Sequence, residues 1–215
     1  MDEVKNTASV TVIGDLVGSR RSVDRAAAHA RFEQAIDAIN ATYAPPVPLR
    51  ITVGDEFQGI FASLGDAITA TLRLRRALLP DVDVRQGIGW GRVLVLAEDP
   101  RVEDGPGWWA ARAAIETVEA YERKAPLRAV RTAYVAADDE PGPDQALVNA
   151  ALMTRDQVVS GLSERSMSVL DGLMRGRRQQ DIADDLGISP SAVSQRVRAE
   201  GIGVLLAADE LLRDL

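Results

Sequence analysis

Apolar and polar positions divide the chain into two regimes. Up to about residue 135, short β-branched runs alternate with stretches of helical spacing; beyond a polar break the spacing is helical throughout. Ala8 to Ile13, rich in Val, Thr and Ile, predicts a buried strand. Gly14 to Arg20 predicts a turn whose backbone N–H groups face an anion. Ser22 or Asp24 is placed to cap a helix through about Ala41, with Phe32, Ile36 and Ile39 on its apolar face. Tyr43-Ala-Pro-Pro-Val-Pro48 reads as a stiff connector. Leu49 to Val53 and Phe57 to Phe61 predict a hairpin with Gly54, Asp55 and Glu56 at its tip. Ser63 starts a helix carrying Ala67, Ile68, Leu72, Leu74 and Leu78. Val82 to Trp90 predicts a fourth strand in which Gly87 and Gly89 permit close backbone approach, and Arg92 to Leu96 extends it after a break. A loop over Asp99 to Gly107, a helix over Trp108 to Arg123 and a strand over Leu127 to Val135 follow. This order predicts an α+β sandwich with helices on one face of a mainly antiparallel sheet.

Ala136-Ala-Asp-Asp-Glu-Pro-Gly-Pro143 is the best linker candidate, so the expected domains are 1–140 and 141–215. Gln145 to Ser160 reads as a helix, and four short helical segments follow it. Within Gln179 to Arg198 each position fits a helix-turn-helix. Ile182, Ala183 and Leu186 form an apolar face, Gly187 suits a left-handed turn residue, Ile188 plugs the corner, Ser189 caps the second helix and Pro190 opens it. Ala192, Val193 and Val197 pack inward, leaving Ser191, Ser194, Gln195 and Arg198 outward, as a recognition helix in the major groove requires. Arg196, Arg177 and Arg178 are placed for phosphates. The plain alternative is a helical hairpin used for packing or dimerisation. The stretch resembles the helix-turn-helix of LuxR-type regulators and of sigma-factor region 4. Between Ser163 and Glu200 six arginines face six acids, so a locally neutral module needs dimerisation to hold DNA.

Composition narrows the chemistry. The chain has 215 residues, a hydrophobic fraction of 46% and a net charge of -7, which argues against nonspecific coating of nucleic acid. There are no cysteines, excluding disulfides and Cys-ligated zinc. His29 is the one histidine, so sites needing two are excluded, and its mid-helix place suits a partly solvated surface residue. The N-terminus lacks an apolar signal core and no run approaches the ~20 residues of a membrane span. A cytoplasmic protein is expected.

Two apolar runs end at Gly-Asp: Asp15 after the first strand, and Asp55, with Glu56 beside it, after the second. Side by side in a sheet, they would bring Asp15 and Asp55 to one edge and share a divalent cation. The plain alternative is a pair of ordinary Gly-Asp turns. Gly14-Asp-Leu-Val-Gly-Ser19 resembles the first metal loop of class III nucleotidyl cyclases. Val53-Gly-Asp-Glu-Phe-Gln-Gly-Ile-Phe61 resembles their second metal hairpin and contains Gly-Asp-Glu-Phe, the core of the diguanylate-cyclase signature. Arg85-Gln-Gly-Ile-Gly-Trp-Gly-Arg-Val93 is similar to their Gly-Ile-x-x-Gly strand, and Ala110-Ala-Arg112 to their Asn-x-Ala-Ala-Arg helix. The whole chain resembles the SatD family. The resemblance implies a ferredoxin-like (cyclase palm) antiparallel sandwich followed by an all-α helix-turn-helix domain. It implies Mg²⁺ or Mn²⁺ on Asp15 and Asp55 with Glu56 as a substitute ligand, and phosphates cradled by the backbone of Leu16, Val17, Gly18 and Ser19. Arg112 then matches the arginine that stabilises the transferring phosphate. Two departures stand out: the ribose-orienting asparagine falls on Trp108, an indole that can stack on a base, and the base-reading lysine falls on Ile51, next to Arg50.

The expected protein is a homodimeric, DNA-binding transcriptional regulator. Its degenerate cyclase-like domain binds a nucleotide, a cyclic nucleotide or a divalent metal, or dimerises the protein, and its partner is double-stranded DNA. The rivals are an active nucleotidyl cyclase, with Arg112 catalytic, and a dimerisation scaffold without ligand.

Overall fold

The computed structural model describes residues 8–18 and 25–215. A five-stranded sheet is built around β1 (Ser9–Val17), with β2 (Val47–Ile51), β3 (Phe57–Phe61), β4 (Asp83–Gly91) and β7 (Thr132–Ala136) in the order β2-β3-β1-β4-β7. Pairing is antiparallel from β2 through β4, and β7 runs parallel to β4. β1 is buried on both faces, which is why it reads as a near-continuous apolar run. Val10, Val12 and Leu16 join the core under α1 (Arg25–Tyr43) and α2 (Leu64–Leu78). Ile13 packs on the opposite face with Ala111 and Ile115 of α3 (Pro106–Glu122).

Helices therefore cover both faces of the sheet, where the element order predicts one. The seat for α3 is made by glycine. A Cβ on Gly89 would lie 2.3 Å from the Gly107 carbonyl oxygen and 2.4 Å from the Ala111 nitrogen, both backbone atoms of α3. Thr11 fixes the same contact by donating its hydroxyl to the Gly107 carbonyl at 2.7 Å.

The predicted turn at Gly14 begins later, because β1 continues to Val17 and pairs Asp15, Leu16 and Val17 with Arg85, Val84 and Asp83 of β4. The capping positions Ser22 and Asp24, and the candidate Ser19, lie outside the described residues. The expected strand extension and loop between Arg92 and Gly107 are instead an antiparallel ribbon of β5 (Leu94–Glu98) and β6 (Arg101–Asp104). Ser63 caps α2 as its sequence predicts, accepting from the Asp66 N–H at 3.0 Å.

The polar stretch after β7 leads into α4 (Gln145–Gly161), which packs against the sheet core through Val148 and Leu152. Its polar side chains seal the outer edge of β7. Gln145 accepts from the Ala136 N–H (3.1 Å), and Asn149 both accepts from the Tyr134 N–H (2.9 Å) and donates to the Tyr134 carbonyl (2.8 Å). Asp156 accepts from the N–H groups of Arg131 and Thr132, each at 2.7 Å. One helical step of four residues rises about 6 Å and one strand step of two residues about 6.7 Å, so the two repeats keep pace. At the other edge Asn40 of α1 makes the same two-point contact with Leu49 of β2, at 2.8 and 2.9 Å.

Four shorter helices follow: α5 (Glu164–Met174), α6 (Gln179–Leu186), α7 (Pro190–Ala199) and α8 (Ile202–Leu212). Their core of Val169, Leu170, Ile182, Ala183, Val193, Ile202 and Leu205 closes on Leu72 of α2. Thr69 of α2 also donates to Asp209 of α8 at 3.1 Å.

Candidate functional site

The candidate carboxylates converge. Asp15 sits in β1 on the side facing α3, and Asp55 sits in the β2–β3 loop, where Gly54 takes φ 66° and Thr52 and Glu56 close the turn at 2.9 Å. The Asp55 carboxylate is near enough to repel that of Asp15. Glu56 points to solvent.

Arg85 dominates this edge. It stands opposite Asp15 in the β1–β4 register, and its guanidinium holds both carboxylate oxygens, Nε to Oδ1 at 2.8 Å and Nη2 to Oδ2 at 3.1 Å. Its remaining nitrogen reaches Glu122 at 3.2 Å and Glu119 at 3.7 Å, both on α3. Burial raises the Asp15 pKa above the ordinary carboxylate value; Arg85 works against this, while Asp55 and Glu119 add to it. For the implied metal this arrangement is a poor fit, because the two Asp15 oxygens already face a cation. Among the described residues, no group of three Asp, Glu or His side chains is placed to hold a metal ion.

The other candidates separate. Leu16 and Val17 are committed to strand pairing, so a phosphate cradle there has only Gly18, at φ 74°, among its described members. Arg50 is exposed on β2 and Arg112 is exposed on α3. Trp108 is 8% exposed and packs with Ile13, Val47, Ile60 and Ala111, so its indole belongs to the core and is not available to stack on a base. Trp109 turns outward and donates to Asp104 at 2.8 Å.

The sequence gives little warning of what lies behind Arg85. Glu122 also meets Arg131 at 3.5 Å, and Arg131 meets Asp83 at 2.7 Å. Asp83 meets Arg75 at 2.8 Å, and Arg75 meets Asp156 of α4 at 3.3 Å. A chain of alternating charges thus leads from Asp15 into the helical segment. Arg75 is 2% exposed and Asp156 fully buried, which their mutual pairing and hydrogen bonds make tolerable.

In the helical segment Gly187 takes φ 62° and ψ 37°, ending α6, and the N–H of Ile188 returns to the Ala183 carbonyl at 3.0 Å. Ser189 caps α7 by accepting from the Ala192 N–H at 3.2 Å, with Pro190 in the first turn. Ser191, Gln195 and Arg198 are exposed, and Ser194 is half-buried between them. Arg196 is committed within the protein, to Ser166 at 3.0 Å and Glu200 at 3.1 Å. Arg177 pairs with Asp185 at 2.6 Å, while Arg178 is exposed.

The fold is thus a mixed α/β one, and its solved neighbours include nucleotide-cyclase domains. One is the structure of a bacterial light-regulated adenylyl cyclase, 14% identical with a TM-score of 0.43, covering 60% of this chain and 43% of that one. Another is the GGDEF domain of DgcB from Caulobacter crescentus in complex with c-di-GMP, 15% identical with a TM-score of 0.40, covering 62% and 80%. A third, the regulator of polyketide synthase expression from Bifidobacterium adolescentis, is 13% identical with a TM-score of 0.25 and covers 96% and 85%. The chain spans less than half the length of the adenylyl cyclase. No curated protein matches it. The chain belongs to the SatD family, whose family model matches residues 9–215. Among the described residues no helix is long and apolar enough to cross a membrane.

Proposed function

We propose that this protein is a DNA-binding transcriptional regulator that works as a homodimer in the cytoplasm, with α6 and α7 as a helix-turn-helix and α7 as the reading helix. The observation that carries this is the exposed stripe Ser191, Gln195, Arg198, spaced by four and three residues on a helix whose opposite side is buried at Val193. Gln195 and Arg198 are side chains that suit adenine and guanine edges, and Arg178 suits a phosphate. The near-neutral local charge favours two modules on a two-fold site, each contributing contacts that one alone makes too weakly.

Fluorescence anisotropy against a randomised duplex pool, selected at low salt, tests the reading. Arg198→Ala should weaken the selected site by about 1–3 kcal/mol and relax its sequence preference, and Arg178→Ala should lower the salt slope by about one. Absence of any duplex binding at low salt refutes the proposal.

A second reading, nucleotide sensing by the N-terminal half, is favoured by the convergence of Asp15 and Asp55 on one edge. ATP, GTP and cyclic nucleotides, screened by thermal shift with and without Mg²⁺ or Mn²⁺, test it, since a ligand of the folded state raises apparent stability. Cyclic product from ATP or GTP that disappears in Asp55→Ala would replace the sensor with a cyclase. The clamp of Arg85 on Asp15 weighs against that outcome.

A further inference from the structure

We infer that Arg85 is the resident cation of the carboxylate edge and keeps divalent metals off Asp15. The inference deepens the reading of Asp15 and Asp55 as a ligand edge, and concerns what that edge accepts.

The geometry is that of a filled site. A guanidinium presents parallel N–H groups that match the two oxygens of a carboxylate, and Arg85 uses Nε and Nη2 in this way on Asp15. The side chain is held from both sides. It is rooted in β4 at the position paired with Asp15, and its third nitrogen is engaged by Glu119 and Glu122 on α3. A divalent ion arriving at Asp15 would break two charge-assisted hydrogen bonds and then sit beside a guanidinium that Glu119 and Glu122 still hold in place. Unlike lysine, arginine cannot step aside by losing its proton. Asp15, Glu119 and Glu122 all meet this one guanidinium, so its removal would leave their charges uncompensated and draw a hard cation in its place. Arg85 is therefore a specificity-determining residue: with it in place, the edge is closed to Mg²⁺ and Mn²⁺ at Asp15.

The test is Mn²⁺ binding by the full chain, followed by loss of the free-ion electron paramagnetic resonance signal and by calorimetry. The wild-type isotherm should superimpose on that of Asp15→Asn. Arg85→Gln should acquire a site at least about tenfold tighter, lost again in the Arg85→Gln/Asp15→Asn double variant. Arg85→Lys, which retains the charge but not the two-point grip, should gain less than Arg85→Gln and serves if the latter does not fold. Wild-type binding that Asp15→Asn abolishes overturns the inference, as does a folded Arg85→Gln or Arg85→Lys that gains no Mn²⁺ site. A protein that binds no nucleotide would end the sensor reading and leave this result standing.

Discussion

A single substitution at Asp156 should loosen α4, β7 and α2 from one another together. Its carboxylate accepts two backbone N–H groups at the start of β7 and faces two buried guanidinium groups, those of Arg75 and Arg155, each at 3.3 Å. Asp156→Ala removes all four contacts at once. Each buried amide left without an acceptor costs about 1–3 kcal/mol. Arg75 retains Asp83 at 2.8 Å, so its loss is smaller than the cost of stranding a buried charge completely. Taking about 1.5 kcal/mol for each amide and about 1 kcal/mol for Arg75 gives a destabilisation of about 4 kcal/mol as a lower bound, because Arg155 is left with only the neutral Ile68 carbonyl and Thr132 hydroxyl. A chain of this size should then melt about 8–16 °C lower. In urea, the midpoint should fall by roughly 1.5–2 M. Circular dichroism at 222 nm through both transitions measures this. Asp156→Asn retains an acceptor oxygen without the charge and should lose about half as much. A loss below about 1 kcal/mol for Asp156→Ala would refute the assignment of Asp156 as the fastener of α4 to the sheet.

Three further outcomes follow from the geometry. Gly89→Ala should cost about 3 kcal/mol or more by urea unfolding, because its Cβ meets the backbone of α3 as well as the buried Thr11 hydroxyl. Gly187→Ala, with open space around it but a φ of 62°, should cost only about 1–2 kcal/mol, so a reversed ranking would contradict the packing of α3 on β4. Burial pushes the Asp83 pKa up, but Arg75 and Arg131 outweigh it and hold the group below the ordinary carboxylate value. The stability it contributes is fully present above its unfolded pKa and is lost as pH falls through its folded one, so Asp83→Asn should flatten the acid limb of the stability curve below about pH 4. Asp15, whose pKa is raised, contributes in the opposite direction, and parallel acid limbs for wild type and Asp83→Asn would count against the assignment.

Local signals proved legible where one residue type decides the backbone. Ser63 and Ser189 cap α2 and α7, and Gly187 ends α6, as their sequence neighbourhoods predict. The convergence of Asp15 and Asp55 was also legible, from two apolar runs that each reach Gly-Asp. The end of β1 was not: Gly and Asp prefer turns locally, but pairing along β4 as far as Asp83 carries the strand through them. Arg85 stands out in the sequence only as part of a glycine-rich strand; its partner lies 70 residues away, and only strand register places the two opposite each other. For Asp156 a signal existed. It falls between Leu152 and Val159 on the apolar stripe of α4, where a lone acid has to find partners. The β5–β6 ribbon was hidden because Asp99-Pro100 reads as part of an irregular loop when it is the turn of a short hairpin.

The two asparagines have a consequence for the margins of the sheet. Asn40 and Asn149 each present an amide to one strand residue as a neighbouring strand would, at opposite margins of the sheet. On the β2 side Pro48 adds a position with no N–H to offer. Both margins thus have backbone groups already taken at these positions, which works against extension of the sheet by a strand of a second chain. The proposed dimer is then better served by side chains meeting across helices, where a few substitutions alter partner choice and leave the sheet intact.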